Sequence, residues 1–195
     1  MKRSAAVERK TKETEISLEL KINGSGTHKI STGIPFFDHM LTLFAVHGFF
    51  DLTVKARGDL EVDSHHTVED VGLVLGEALD KALGDRKGIK RYGHASTPMD
   101  DALTNVSIDL SKRPYLVCHV LDTKGTGAVF GITLAREFFR AFATRSGMNL
   151  HINVVYGENE HHIIESMFKS TARALDQATA IDDRLKDVRS SKGVL

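Results

Sequence analysis

His65-His66-Thr67-Val68-Glu69 returns ninety-six residues later as His161-His162-Ile163-Ile164-Glu165, and the echo keeps its register: Ala78-Leu79-Asp80 recurs as Ala174-Leu175-Asp176. Self-similarity at a fixed offset constrains a fold more than composition does. The chain is expected to contain two similar units. A His-His-x-x-Glu that opens a helical pattern in both points to a duplicated metal site.

Helical spacing sets what the motif can do. The first histidine lies four residues before the glutamate and the second lies three before it, so either pair shares a helix face and can chelate one ion. The adjacent histidines diverge by about 100° around the axis. They are poorly placed to hold one metal together. They are well placed to serve two, each completed by ligands from other segments or other subunits.

Around this motif the chain reads as follows. Residues 1–12 are polar and basic, and 13–22 alternate apolar and polar as a half-buried strand does. Asn23-Gly24-Ser25-Gly26 turns, and residues 27–31 return as a second strand. Pro35 or Asp38 starts a helix whose apolar face is Met40, Leu41 and Phe44, and Gly48 ends it. A strand at 49–56 and a helix at 68–83, capped by Gly84, complete the half. Residues 88–103 lead onward to strands at 106–110 and 115–121. The plan then repeats, with a helix at 132–142, Gly147 closing it, a strand at 150–156 and a long helix at 163–180.

Each half therefore reads strands, helix, strand, helix. The expected class is α+β, with two duplicated halves, each a small sheet packed against two helices. Each half alone is near the lower size limit for a core, so the two fuse into one compact catalytic unit over 1–195. The repeat spans approximately 9–90 and 91–182. The tail, 183–195, is polar and basic, and by composition alone reads as a frayed terminus.

Lys plus Arg and Asp plus Glu number 26 each. No global field attracts nucleic acid, and any bound anion must be met by a local cluster. Cys118 is the one cysteine, in an apolar run that suggests a buried strand thiol. Without a disulfide partner in the chain it favours a reducing compartment. No apolar signal core opens the chain, and no apolar run reaches the roughly 18 residues of a membrane span. A cytoplasmic protein with no membrane partner is expected.

His39, at the start of the first helix, and Glu137, at the corresponding place in the second half, add to the candidate ligands. The inventory is His39, His65, His66, Glu69, Glu137, His161, His162 and Glu165. Imidazole and carboxylate without thiolate fit Mn, Fe, Co, Ni or Zn rather than a Cys-rich structural zinc site. Among the other histidines, His151 reads as face-out or hydrogen-bonded, and His47 as a helix C-terminal cation. Arg91, Arg113, Lys169 and Lys192 lie beside or after the metal segments and together could clamp a phosphate. Lys169, four residues after Glu165, could also set an ammonium beside the metal.

Phe36-Phe37-Asp38-His39-Met40-Leu41, His65-His66-Thr67-Val68-Glu69-Asp70-Val71-Gly72, Arg91-Tyr92-Gly93 with Pro98-Met99-Asp100, and Asn159-Glu160-His161-His162-Ile163-Ile164-Glu165 with Phe168-Lys169 occur in this order. Together they closely resemble the imidazoleglycerol-phosphate dehydratases of histidine biosynthesis, in their stand-alone form. The resemblance runs from about Arg9 to Leu195. It implies two similar α+β halves and a homo-oligomer of twenty-four subunits with shared active sites. It also implies two Mn²⁺ ions per site. The metal-ligand role carries over to His39, His65, His66, Glu69, His161, His162 and Glu165. At Glu137 many relatives carry histidine; a carboxylate can replace it. Substrate and phosphate contacts map onto Arg91, Arg113, Lys169, Ser190, Ser191 and Lys192, and onto Glu13 from a neighbouring subunit.

The implied reaction converts imidazole glycerol phosphate to imidazole acetol phosphate and water. The carbon-bound hydrogen that leaves has no adjacent carbonyl and is weakly acidic. A metal on the ring nitrogens favours the deprotonated ring, which can expel the hydroxyl. A base, Glu13 or Glu165, then takes the carbon-bound proton. A two-metal hydrolase is the runner-up, but it would use more bridging carboxylates and fewer histidines. Metals that only staple an oligomer would leave Glu13 and the tail cations idle.

Overall fold

The computed structural model describes residues 3–120 and 130–195; Leu121, the end of the expected strand at 115–121, lies outside them. The first half runs β1 (Ser4–Lys10), β2 (Thr14–Lys21), β3 (His28–Ser31), α1 (Pro35–His47), β4 (Asp51–Gly58) and α2 (His65–Leu83). The second repeats that order as β5 (Tyr92–Met99), β6 (Ala102–Asp109), β7 (Tyr115–His119), α3 (Ile132–Ser146), β8 (Asn149–Tyr156) and α4 (Glu160–Thr179). The sheets are ordered β1-β2-β4-β3 and β5-β6-β8-β7. In both, the first two pairings are antiparallel and the last is parallel. The duplicated α+β fold read from the repeat is the fold observed.

Local sequence explains the elements. In β2 every second residue is buried, Thr14, Ile16, Leu18 and Leu20, so one face meets helices and the other meets water. Pro35 occupies the first turn of α1, where its missing N–H costs nothing, and Gly48 follows the last. Both long helices start earlier than their apolar period suggested. Val68 donates to the Ser64 carbonyl at 3.1 Å, and the Asn159 side chain accepts from the His161 amide at 2.9 Å. Each His pair therefore sits in the first turn, and in α4 the Asn159 side chain caps it.

The helices join the halves. α2 packs on β1 and β2, α4 packs on β5 and β6, and the pairs α2–α3 and α1–α4 cross between halves. The rings of Phe37 and Phe44 on α1, Phe138 and Phe142 on α3 and Phe168 on α4 interlock at centroid spacings of 5.1 to 5.9 Å. Arg86, just past α2, is buried and donates from Nη2 to Asp80 and to the Ser146 carbonyl at the end of α3, both at 2.5 Å. One core cluster runs through both halves.

Three local expectations are corrected. β1 and β5 are strands where none was expected. Cys118 is half-buried rather than buried, and burial still pushes its thiol up. Among the described residues no helix is long and apolar enough to cross a membrane.

Candidate active site

α1 and α4 bring three donors together. His39, His161 and Glu165 each offer an atom within 4.8 Å of the others. Thr32 fixes the start of α1 by donating its amide (2.9 Å) and its hydroxyl (2.5 Å) to Asp38, beside His39. Glu165 is buried, and burial alone would raise its pKa. Hydrogen bonding to the Lys169 ammonium at 2.6 Å, together with the nearby His161 and His39, outweighs that and lowers it. A buried ionised carboxylate beside two exposed imidazoles is a donor set that fits a divalent transition metal.

The counterpart at the α2–α3 seam is arranged differently. His65 Nε2 lies 3.6 Å from Glu69. Arg140 bridges Glu69 and Glu137, donating at 2.9 Å to Glu69 and from Nε at 2.8 Å to Glu137. The seam is tight because Gly72 and Gly76 of α2 face the Phe138 and Phe142 carbonyls of α3. Here Glu137 stands where His39 stands in the other half, so the donors are one imidazole and two carboxylates. The donor types suit a divalent cation of harder character, but among the described residues only His39, His161 and Glu165 have donor atoms within 4.8 Å of one another.

His66 and His162 turn away from both groups. Ring planes within the pairs are 88° and 81° apart. The Nδ1–H of His66 donates to Asp59 at 3.0 Å, and that of His162 donates to Asp101. These carboxylates raise both imidazole pKa values, and His162 with two backbone amides holds Asp101 well below the usual range. Each carboxylate fixes the tautomer with the proton on Nδ1 and leaves the Nε2 lone pair for a ligand, with Asp100 3.7 Å from Nε2 of His162; this is the arrangement that orients a metal-binding histidine. Glu13, on the turn before β2, approaches His66 Nδ1 to 4.0 Å and is half exposed.

A second region carries the cations. Arg91, Lys112, Arg113, Arg189, Ser190, Ser191 and Lys192 line an open cleft of about 800 Å³. Of the six expected phosphate contacts, five meet here; Lys169 instead sits with Glu165, 3.4 Å from Met99 Sδ. Arg91 is largely committed. It grips Asp109 with Nε at 2.6 Å and Nη2 at 3.0 Å, and the Arg189 carbonyl with Nη1 at 2.6 Å. Arg113 is freer, at 3.7 Å from Asp109. The tail is not frayed as its composition suggested. It is tied down by Arg91 and by a Gly88 amide donating to Asp187 at 3.3 Å.

Sequence reasoning missed Asp59, Asp101, Arg140, Lys112 and Arg189. Only Arg140, three residues after Glu137, carried a spacing that a helix makes meaningful. His151 is exposed and bonded to Asn149 at 3.0 Å, as expected. At His47, burial, Lys169 and Arg173 lower the pKa, which opposes the helix C-terminal cation its position suggested.

The family model described as imidazoleglycerol-phosphate dehydratase matches residues 32–175. An imidazoleglycerol-phosphate dehydratase of Desulfosudis oleivorans is 63% identical over 195 residues, covering 100% of both chains. That of Geobacter metallireducens is 56% identical over the same span. A crystal structure of the Staphylococcus aureus dehydratase aligns at TM-score 0.82 and 35% identity, over 92% of this chain and 99% of that one. One from Pyrococcus furiosus, in complex with (S)-C348, aligns at TM-score 0.85 and 39% identity, over 97% and 100%.

Proposed function

The chain belongs to the imidazoleglycerol-phosphate dehydratase family, and on that footing we propose that it dehydrates imidazole glycerol phosphate to imidazole acetol phosphate in histidine biosynthesis, with two Mn²⁺ ions per active site. The convergence of His39, His161 and buried Glu165 is the observation that carries the metal dependence. One ion is assigned to that group and the other to His65, Glu69 and Glu137, with His66 and His162 offering Nε2 to ions shared with other subunits. A bound divalent ion supplies Lewis-acid charge that eases loss of the imidazole N–H proton.

The remaining work falls to the chain's own groups. Glu13 is the base that takes the carbon-bound proton. Glu165 is the weaker candidate, because Lys169 and two imidazoles stabilise its ionised form. The C–O bond breaks, the hydroxyl leaves as water, and the enol becomes the ketone. Arg113, Lys192, Ser190 and Ser191 hold the phosphate, with Arg91 setting the tail against β6. Lys169 adds positive charge at the metal end.

Distance supports assembly. The Arg91 amide donates to the Ala178 carbonyl at the far end of α4, and from His161 to Ala178 a helix rises about 25 Å. A three-carbon chain between ring and phosphate is far shorter. The metal group and cation cleft of one chain therefore serve different substrate molecules, and each site is completed by another copy. Assembly as twenty-four subunits and a cytoplasmic location belong to the same proposal, as does the single unit with repeats at 9–90 and 91–182.

The test is turnover of imidazole glycerol phosphate by metal-stripped protein before and after manganese is added, with the product ketone detected. Restored turnover is expected. No turnover by correctly assembled, metal-loaded protein would overturn the proposal.

A further inference from the structure

Asp70 follows a candidate ligand, Glu69, but points the other way, into the protein. It is buried, and nothing in the chemistry above uses it. Thr14, also buried, donates its hydroxyl to Asp70 Oδ2 at 2.5 Å across fifty-six residues of chain. Arg9 Nε meets the other oxygen, Oδ1, at 3.0 Å. Thr14 is the residue after Glu13.

The hydrogen bonds around Thr14 have one self-consistent direction. A hydroxyl has one proton, and that of Thr14 goes to Asp70. The contact of 3.2 Å between the Thr11 and Thr14 hydroxyls is therefore donated by Thr11. The lone pairs of Thr11 Oγ1 accept the amides of Glu13 at 3.1 Å and Thr14 at 2.9 Å, closing the turn. The Glu13 carbonyl accepts the Asp59 amide at 3.1 Å, and Asp59 is the carboxylate that orients His66. The backbone of Glu13 is thus pinned on both sides while its carboxylate stays half exposed, 4.0 Å from His66 Nδ1. The anchor of that arrangement is a charge on α2, the helix that also carries His65, His66 and Glu69.

We propose that Asp70 is a positioning residue for Glu13, acting through the Thr14 hydroxyl and holding the base in register with the metal-bearing face of α2. The inference rests on Glu13 being the base. A proton acceptor displaced by an ångström loses transition-state stabilisation without losing ground-state binding. Disturbing the anchor must therefore lower kcat and leave KM nearly unchanged.

The experiment uses the assembled, manganese-loaded protein. Thr14→Val removes the donor at almost constant shape, and Thr14→Ser restores it. Thr14→Val and Asp70→Asn are expected to lower kcat by about 10- to 100-fold, with KM, metal content and assembly size unchanged and Thr14→Ser close to the parent. In a Glu13→Gln background, Thr14→Val should have no further effect, because the group it positions is gone. Thr14→Val at full kcat would overturn the inference. So would an equal loss on top of Glu13→Gln, which would show that the hydroxyl acts by another route. Full activity in Glu13→Gln alone would instead overturn the base assignment, and the inference with it.

Discussion

Glu69 and Glu137 bring two negative charges to one seam, and Arg140 lies between them with bonds to both. The guanidinium sits where it can offset both charges. It neutralises carboxylates that would otherwise repel. Arg140→Met should therefore lower the stability of the metal-free protein by about 1 kcal/mol, and saturating manganese should close the gap. Thermal unfolding of both variants, stripped and loaded, measures this. An equal gap in both states would mean that Arg140 is only a surface ion pair. At this scale the sequence shows the candidate ligands because chelation imposes spacing: each histidine of the pair lies three or four residues from Glu69, so either can share a helix face with it. It hides their supports. Asp101 reaches His162 across sixty-one residues and Arg140 reaches Glu69 across seventy-one, distances that only the fold closes.

The helices were legible as elements because α1, α2 and α3 each end at a glycine and bury a periodic face. Two strands were not, for physical reasons visible in their neighbours. β1 is an edge strand in which Val7 is the one fully buried residue, so it lacks the alternation that marks β2. β5 turns Gly93 and Thr97 inward. A Cβ at Gly93 would lie 1.9 Å from the Ala174 carbonyl oxygen, so α4 sits too close for an apolar side chain there. Close approach also governs the α2–α3 seam. A Cβ at Gly76 would lie 2.7 Å from the Phe142 oxygen and 2.9 Å from the Ser146 amide, both backbone atoms that cannot yield alone. Gly76→Ala should therefore destabilise the protein by about 1–3 kcal/mol, against a gain of about 1 kcal/mol expected for alanine in an unpacked helix. Denaturant unfolding decides the sign, and a stabilised variant would show that the helices can part without cost.

On the scale of the whole molecule, the chain is polarised. Candidate metal donors gather at the N-terminal ends of α2 and α4, and the cation cleft gathers where α3 and α4 finish and the tail folds back. The repeat made the first end readable, since each copy announces itself by sequence. The second end drew on Arg91, Arg113 and the tail, which share no spacing and meet only because Asp109 and the tail carbonyls hold them. The most direct measurement pairs Glu165→Gln, defective at the metal end, with Arg113→Ala, defective at the cleft. Each is purified alone, and the two are also co-expressed with different tags and purified as a mixed assembly. If one substrate is met by two copies, the mixture regains activity that neither parent has. The limit is about a quarter of the sites when subunits assort at random in a closed oligomer. A mixed assembly no more active than its parents would contradict the account, and would place both ends of the substrate within a single chain.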